Sequence, residues 1–161
     1  RRFLPGRNAS WVSGSGWDRA LTVEGWYPAL YVANPDGTTT ETEPTFKVLV
    51  FSDRGRVTAR IPRELFGEGS PSEWSYAVAV MSQEGFPSPG VRRVRDVEPN
   101  AAQWRIGGGD GSINGTRILD LIAAEPGLQE MMLSGYEPVP SGSVDDLDDD
   151  DFAHIAPVAS P

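Results

Sequence analysis

The chain has 161 residues and a formal charge of −9, a length that suits one domain able to bury about two thirds of its surface. Six of its 23 acids lie between Asp145 and Asp151, so residues 1–140 hold 14 bases against 17 acids, and a near-neutral body lacks the basic footprint that nucleic-acid binding requires. With 0 cysteines there is no disulfide framework and no thiolate metal site, and no apolar run approaches the roughly 18 residues of a membrane span.

The opening Phe3-Leu4-Pro5-Gly6 reads as the end of an apolar element followed by a turn. From Trp17 to Trp26 polar and apolar residues alternate, which predicts a strand with two unlike faces. Ala29–Ala33 is a short strand ahead of the Asn34-Pro35-Asp36-Gly37 turn, and Thr45–Ser52 and Arg56–Ile61 form a hairpin across Asp53-Arg54-Gly55. Pro62 to Gly67 reads as one helical turn, with proline at its start and glycine at its stop.

Trp74 to Ser82 (WSYAVAVMS) is rich in β-branched and aromatic residues and predicts a buried central strand that turns out of its sheet at Gln83-Glu84-Gly85. It delivers a polar loop with Arg92, Arg93 and Arg95, a lone Trp104, and the cluster Gly107-Gly108-Gly109-Asp110-Gly111. Arg117 to Ile122 fits either a strand or a helix, and Glu125 to Leu133 reads as a short amphipathic helix after Pro126-Gly127. From Pro138 the composition turns to proline, serine, glycine and aspartate, which predicts an acidic tail or linker over 138–161 behind a domain of residues 1–137.

The pieces L-P-G-R-N (Leu4 to Asn8), G-W-D-R-A-L-T-V-E-G-W (Gly16 to Trp26), R-V-T-A-R-I-P-R-E-L-F-G (Arg56 to Gly67), W-S-Y-A-V-A-V-M-S-Q-E-G-F (Trp74 to Phe86), V-R-R-V (Val91 to Val94), A-x-Q-W-R-I-G-G-G (Ala101 to Gly109) and R-I-L-D-L-I (Arg117 to Ile122) occur in a telling order. Together they resemble the C-terminal accessory domain of glucodextranases and archaeal amylopullulanases, a β-sandwich related to DOMON modules. The resemblance runs from about residue 3 to 136 and implies a mainly all-β, antiparallel β-sandwich with one or two short helices. In that family the sandwich starts well before the L-P-G-R-N piece. The first strands are therefore expected from a preceding segment of the same precursor or from a neighbouring chain by strand addition.

Hydrolytic chemistry is poorly supplied. Asp18 and Glu24 sit six residues apart on one strand face, about 20 Å at strand rise, too far for a glycosidase pair. Asp96, Glu98, Asp110 and Asp120 carry no spacing that demands convergence, and each reads as a turn residue or an arginine partner. His154, the only histidine, falls in the acidic segment, which removes a serine triad. The loop from Gly107 to Asn114 could offer Asp110 and Asn114 oxygens to Ca²⁺, against the plainer reading of an ordinary loop, and no other cofactor is expected.

The aromatic residues carry the functional expectation, because a pyranose ring stacks its apolar face on a flat side chain while its hydroxyls bond to a polar rim. Trp17 and Trp74 read as packed, whereas Trp26 with Tyr27, and Trp104 with Arg105, lie near loops and are the candidate carbohydrate contacts. The chain thus reads as a non-catalytic accessory module of an extracellular or cell-surface α-glucan-acting glycoside hydrolase. Its expected partner is an α-glucan or a cell-envelope polysaccharide, with no nucleic acid and no membrane insertion. The competing reading is a structural or envelope-anchoring module that packs on its own catalytic domain, with every tryptophan buried.

Overall fold

The computed structural model describes residues 2–4, 6–24, 28–83 and 94–160. In chain order its strands are β1 (Phe3–Leu4), β2 (Ala9–Trp11), β3 (Arg19–Thr22), β4 (Ala29–Ala33), β5 (Thr39–Thr42), β6 (Lys47–Phe51) and β7 (Arg56–Arg60). They continue as β8 (Ser75–Tyr76), β9 (Ala79–Val80), β10 (Asp96–Glu98), β11 (Arg105–Gly107), β12 (Asp120–Leu121), β13 (Ala153–Ile155) and β14 (Val158–Ala159), with one helix, α1 (Leu128–Leu133). The expected mainly-β class is met, the strands being gathered in several small sheets. The chain divides into two compact units, Trp17–Ser70 and Arg2–Gly16 with Pro71–Pro161.

The first unit is built from local pairings. β3, β4 and β5 form an antiparallel meander in the register Leu21↔Leu30 and Tyr31↔Glu41, and Trp17, Ala29, Leu30 and Tyr31 are buried. The turn before β5 is held by Asp36, whose Oδ1 accepts from the Thr38 amide at 2.9 Å and its hydroxyl at 2.6 Å, the local side-chain bonding that makes aspartate a turn former. β6 and β7 make the expected hairpin, closed by a 3₁₀ turn over Ser52–Arg54 and by Gly55 at φ +56°. Arg63–Phe66 is also a 3₁₀ turn, with Pro62 just ahead of it.

In the second unit the Trp74–Ser82 stretch departs from the expectation of a continuous buried strand. It forms two short strands, β8 paired with β14 and β9 paired with β12, both antiparallel. Ala77, Ala79 and Met81 pack against the core, while Tyr76, Val78 and Val80 are exposed. Side chains alternate across a strand, so this run of apolar types covers the core with one face only.

The segment expected as a tail over 138–161 is, through residue 160, part of this unit. β13 lies parallel to β2 in the register Ala153↔Ala9 and Ile155↔Trp11, and β2 is thereby flanked by β1 on one side and β13 on the other. Phe152 is 3% exposed, with its ring centroid 4.9 Å from that of Phe3, and Ala9, Ile118, Leu121, Met132 and Ile155 form the buried cluster. The composition misleads because the aspartates act as caps. Asp148 and Asp151 form a reciprocal capping box on the 3₁₀ turn Asp149–Asp151, and Ser143 caps the turn Val144–Asp146, so the acidic run satisfies backbone N–H groups rather than remaining solvated. A few apolar residues after it then suffice to dock the segment.

Asn114 ties these pieces together. Its side chain is 0% exposed; Nδ2 donates to the carbonyls of Glu137 (2.9 Å) and Asp151 (2.6 Å), and Oδ1 accepts the Val139 amide at 2.9 Å. Replacing it by alanine removes the partner of three backbone groups in partly buried bonds, so Asn114→Ala is expected to lower unfolding free energy by about 2–3 kcal/mol. Asn114→Asp should cost at least as much, since it removes both donors and buries a charge. Urea titration monitored by tryptophan emission measures both, and losses within about 0.5 kcal/mol, as for ordinary surface sites, would show that these bonds do not hold the fold.

Candidate functional site

The loop that carries Trp104 sits between two strands that should not ordinarily be joined so directly. β10 and β11 pair in parallel, Asp96↔Arg105 to Glu98↔Gly107, through residues 99–104 alone, whereas parallel neighbours usually need a crossover of a dozen or more. Mutual backbone bonds between Ala102 and Arg105, at 3.2 and 3.3 Å, tighten the return. Trp104 therefore stands on a firm turn at the mouth of β11 and is 45% exposed. The Arg95 guanidinium lies 5.9 Å from its ring centroid, at the outer limit of a cation–π contact. Arg105 is exposed, with Nη1 3.7 Å from Glu98 Oε1.

At the other end of β11 the chain opens a groove of about 750 Å³ between the glycine cluster, the segment before β12, and the α1 region out to Tyr136. Gly109 forms part of its wall and no side chain could replace it: a Cβ there would meet the Val97 carbonyl oxygen at 2.5 Å, because the Gly109 amide bonds to Glu98 O at 2.9 Å. On the groove, Asp110 Oδ1 accepts from the Ser112 hydroxyl (2.6 Å) and amide (2.8 Å), and Oδ2 accepts from the Tyr136 hydroxyl at 2.8 Å. Desolvation pushes the Asp110 pKa up, but the bonds from Ser112 and Tyr136 together outweigh it and hold the carboxyl below its ordinary value. Tyr136 is shifted the other way, raised first by burial and then by its bond to the Asp110 carboxylate.

The candidate carboxylates are all engaged by neighbours. Asp96 Oδ1 lies 2.6 Å from Arg117 Nη2, Glu98 faces Arg105, Asp110 makes its turn, and Asp120 accepts the Leu121 amide at 2.9 Å. Asp110 and Asn114, the calcium candidates, are placed differently: Asp110 is on the groove, and Asn114 is buried with its Oδ1 accepting the Val139 amide. Among the described residues no group of three or more His, Cys, Asp or Glu is arranged to hold a metal ion. Trp26 and Tyr27 lie outside the described residues. Trp17 is buried, as expected. Sequence reasoning did not single out Tyr136, which meets Asp110 across 26 positions of chain.

A mainly-β unit that presents a half-exposed tryptophan and a shallow groove, with its four candidate carboxylates engaged by neighbours, has the character of a binding module. Over residues 1–144 the sequence matches the profile described as the C-terminal binding module, SLH-like, of glucodextranase, and the chain belongs to that family. No curated protein and no solved structure gives a match. No helix among the described residues is long and apolar enough to cross a membrane.

The Asp110–Tyr136 pair sets a pH dependence whose sign is fixed. Asp110, depressed in the fold, stabilises it above the unfolded carboxylate pKa of about 3.9 and loses that contribution as pH falls through its lower folded value. Tyr136, raised, contributes below about pH 10 and loses it as pH climbs further. Asp110→Ala should therefore lower stability at neutral pH, with the gap to wild type closing below about pH 4. It should also lower the Tyr136 ionisation midpoint, read from the ring carbons of ¹³C-labelled tyrosine; an unmoved midpoint would contradict the coupling.

Proposed function

We propose that this chain is a non-catalytic accessory module of a secreted or cell-surface glycoside hydrolase acting on α-glucan, a glucodextranase or a relative of the amylopullulanase kind, and that it binds carbohydrate. Membership of the glucodextranase binding-module family supports the accessory role. The observation that carries the ligand class is Trp104: a residue 45% exposed on a turn closed by two backbone bonds, with Arg95 5.9 Å from its ring centroid and Arg105 next in the chain. A large aromatic face flanked by guanidinium donors fits a pyranose, which offers apolar C–H groups to the ring and hydroxyls to the guanidinium groups. Trp26 and Tyr27 are proposed as a second aromatic contact of the same kind.

Titration with maltooligosaccharides and dextran, followed by tryptophan fluorescence and calorimetry, tests this reading. Trp104→Ala should weaken binding by about 1–3 kcal/mol, the range of an interface anchor, without unfolding the protein. If emission stays unchanged at saturating glucan in the wild type, the chain packs on a partner domain instead.

The chain is also expected to release no reducing sugar from α-glucan. Activity that disappears in Asp96→Asn, Asp110→Asn or Asp120→Asn, with the fold intact, would make it a hydrolase.

A further inference from the structure

The groove beside the glycine cluster has a chemistry of its own. Its apolar lining includes Val97, Ile118 and Leu133, and its ionisable acids are Asp110 and Glu130, with no lysine or arginine among the residues that line it. The Tyr136 hydroxyl gives its proton to Asp110, so toward a ligand it can only accept. Asp110 has one oxygen doubly engaged by Ser112 and the other singly engaged by Tyr136; a carboxylate has about four acceptor positions, which leaves room for one further donor. The site thus offers acceptors above an apolar floor and no cation to neutralise an anion.

We infer that this groove is a second glycan subsite, selective for a neutral sugar unit and closed to sulfated or otherwise anionic polymers. The assignment rests on the carbohydrate-binding reading above and names a site distinct from the Trp104 shelf. Hydroxyl groups of a neutral hexose would donate to Asp110 and to the Tyr136 oxygen while its C–H face lies on the apolar lining. An anionic polymer would meet two carboxylates without compensation, since like charges brought together with no counter-charge are disfavoured. The volume, about 750 Å³, lies within the range of small-molecule sites.

Dextran and dextran sulfate share a backbone and differ in charge, so they separate the terms. The ¹⁵N-labelled protein is titrated with each, and affinities are measured for wild type, Tyr136→Phe, Glu130→Gln and Trp104→Ala. The expected result is dextran-induced amide shifts at Gly107–Asp110, Thr116 and α1, a loss of about fivefold or more in Tyr136→Phe, which keeps the ring and removes one acceptor, and no binding of dextran sulfate. Dextran sulfate binding as well as dextran does would overturn the selectivity. Shifts confined to the neighbourhood of Trp104, with affinity sensitive to Trp104→Ala and indifferent to Tyr136→Phe, would overturn the groove assignment while leaving carbohydrate binding intact. Absence of any binding of dextran or of maltooligosaccharides in the wild type would defeat both. Should Tyr136→Phe unfold, the wild-type shift map decides the groove assignment alone, and tighter binding of dextran sulfate by Glu130→Gln than by wild type is the expected sign of the charge selectivity.

Discussion

The second unit depends on the burial of one carboxamide. Asn114 spends every atom it has on backbone, joining its own loop to residues 137–139 and to Asp151. Asn8 performs the complementary task from the N-terminal side: it sits at φ +50°, conformationally open to asparagine at little cost, and its Nδ2 donates to Ile113 and Gly115 carbonyls at 3.0 and 3.1 Å. The two residues form a relay in which residues 6–11, the loop around 113–115 and the C-terminal segment are fastened without a long ladder of strand bonds. Both asparagines head the glycosylation triplets of the sequence, Asn8-Ala9-Ser10 and Asn114-Gly115-Thr116. With both side chains buried and both amides committed, neither nitrogen is open to a sugar in the folded chain.

That fastening is what allows the sheets to be so small. Two-residue strands such as β8, β9 and β14 contribute few hydrogen bonds, and isolated short pairings are marginal in water. Here the cooperativity comes from chain segments far apart in sequence being pinned to the same buried cluster, Ala9 and Ile155 from the two ends and Ile118, Leu121 and Met132 from the middle. Arg117 adds a polar clamp of the same character, with Nη2 on Asp96, Nη1 3.2 Å from the Gly6 carbonyl and its own amide on the Arg7 carbonyl. β10 is thereby held, and with it the parallel partner that presents Trp104 at one end and the groove at the other.

What could be read from the sequence follows this division between local and distant contacts. The hairpin of β6 and β7, the turn around Asp36, the strand at Ala29–Ala33 and the helix after Gly127 rest on neighbours within a few residues, and the turn chemistry marks each of them. The docking of the last twenty residues was illegible because its determinants are non-local: an acidic run looks solvated until its aspartates are seen capping successive turns, and Phe152 gains its burial from the neighbourhood of Phe3. The Trp74–Ser82 stretch misled for a related reason. Its outward side is as apolar as its inward side, so composition cannot tell a strand covered on both faces from one covered on a single face. At the site, Trp104 and Asp110 stood out as residues, but the partner that gives Asp110 its role, Tyr136, is set by tertiary folding alone.

The carboxylates bear on whether such a surface is built for hydrolysis. A glycosidase keeps one acid protonated near neutral pH and leaves the other unencumbered across a gap for water or for attack. Here the forces act in the opposite direction: Asp110 is drawn below the ordinary carboxylate range by donors that fix its orientation, and Asp96, Glu98 and Asp120 are each turned toward an arginine or a backbone amide. A carboxylate held ionised and oriented is a poor general acid and a good hydrogen-bond acceptor. The same bonds that orient the Asp110 carboxylate thus also favour its ionised, accepting form over the protonated form that a general acid needs.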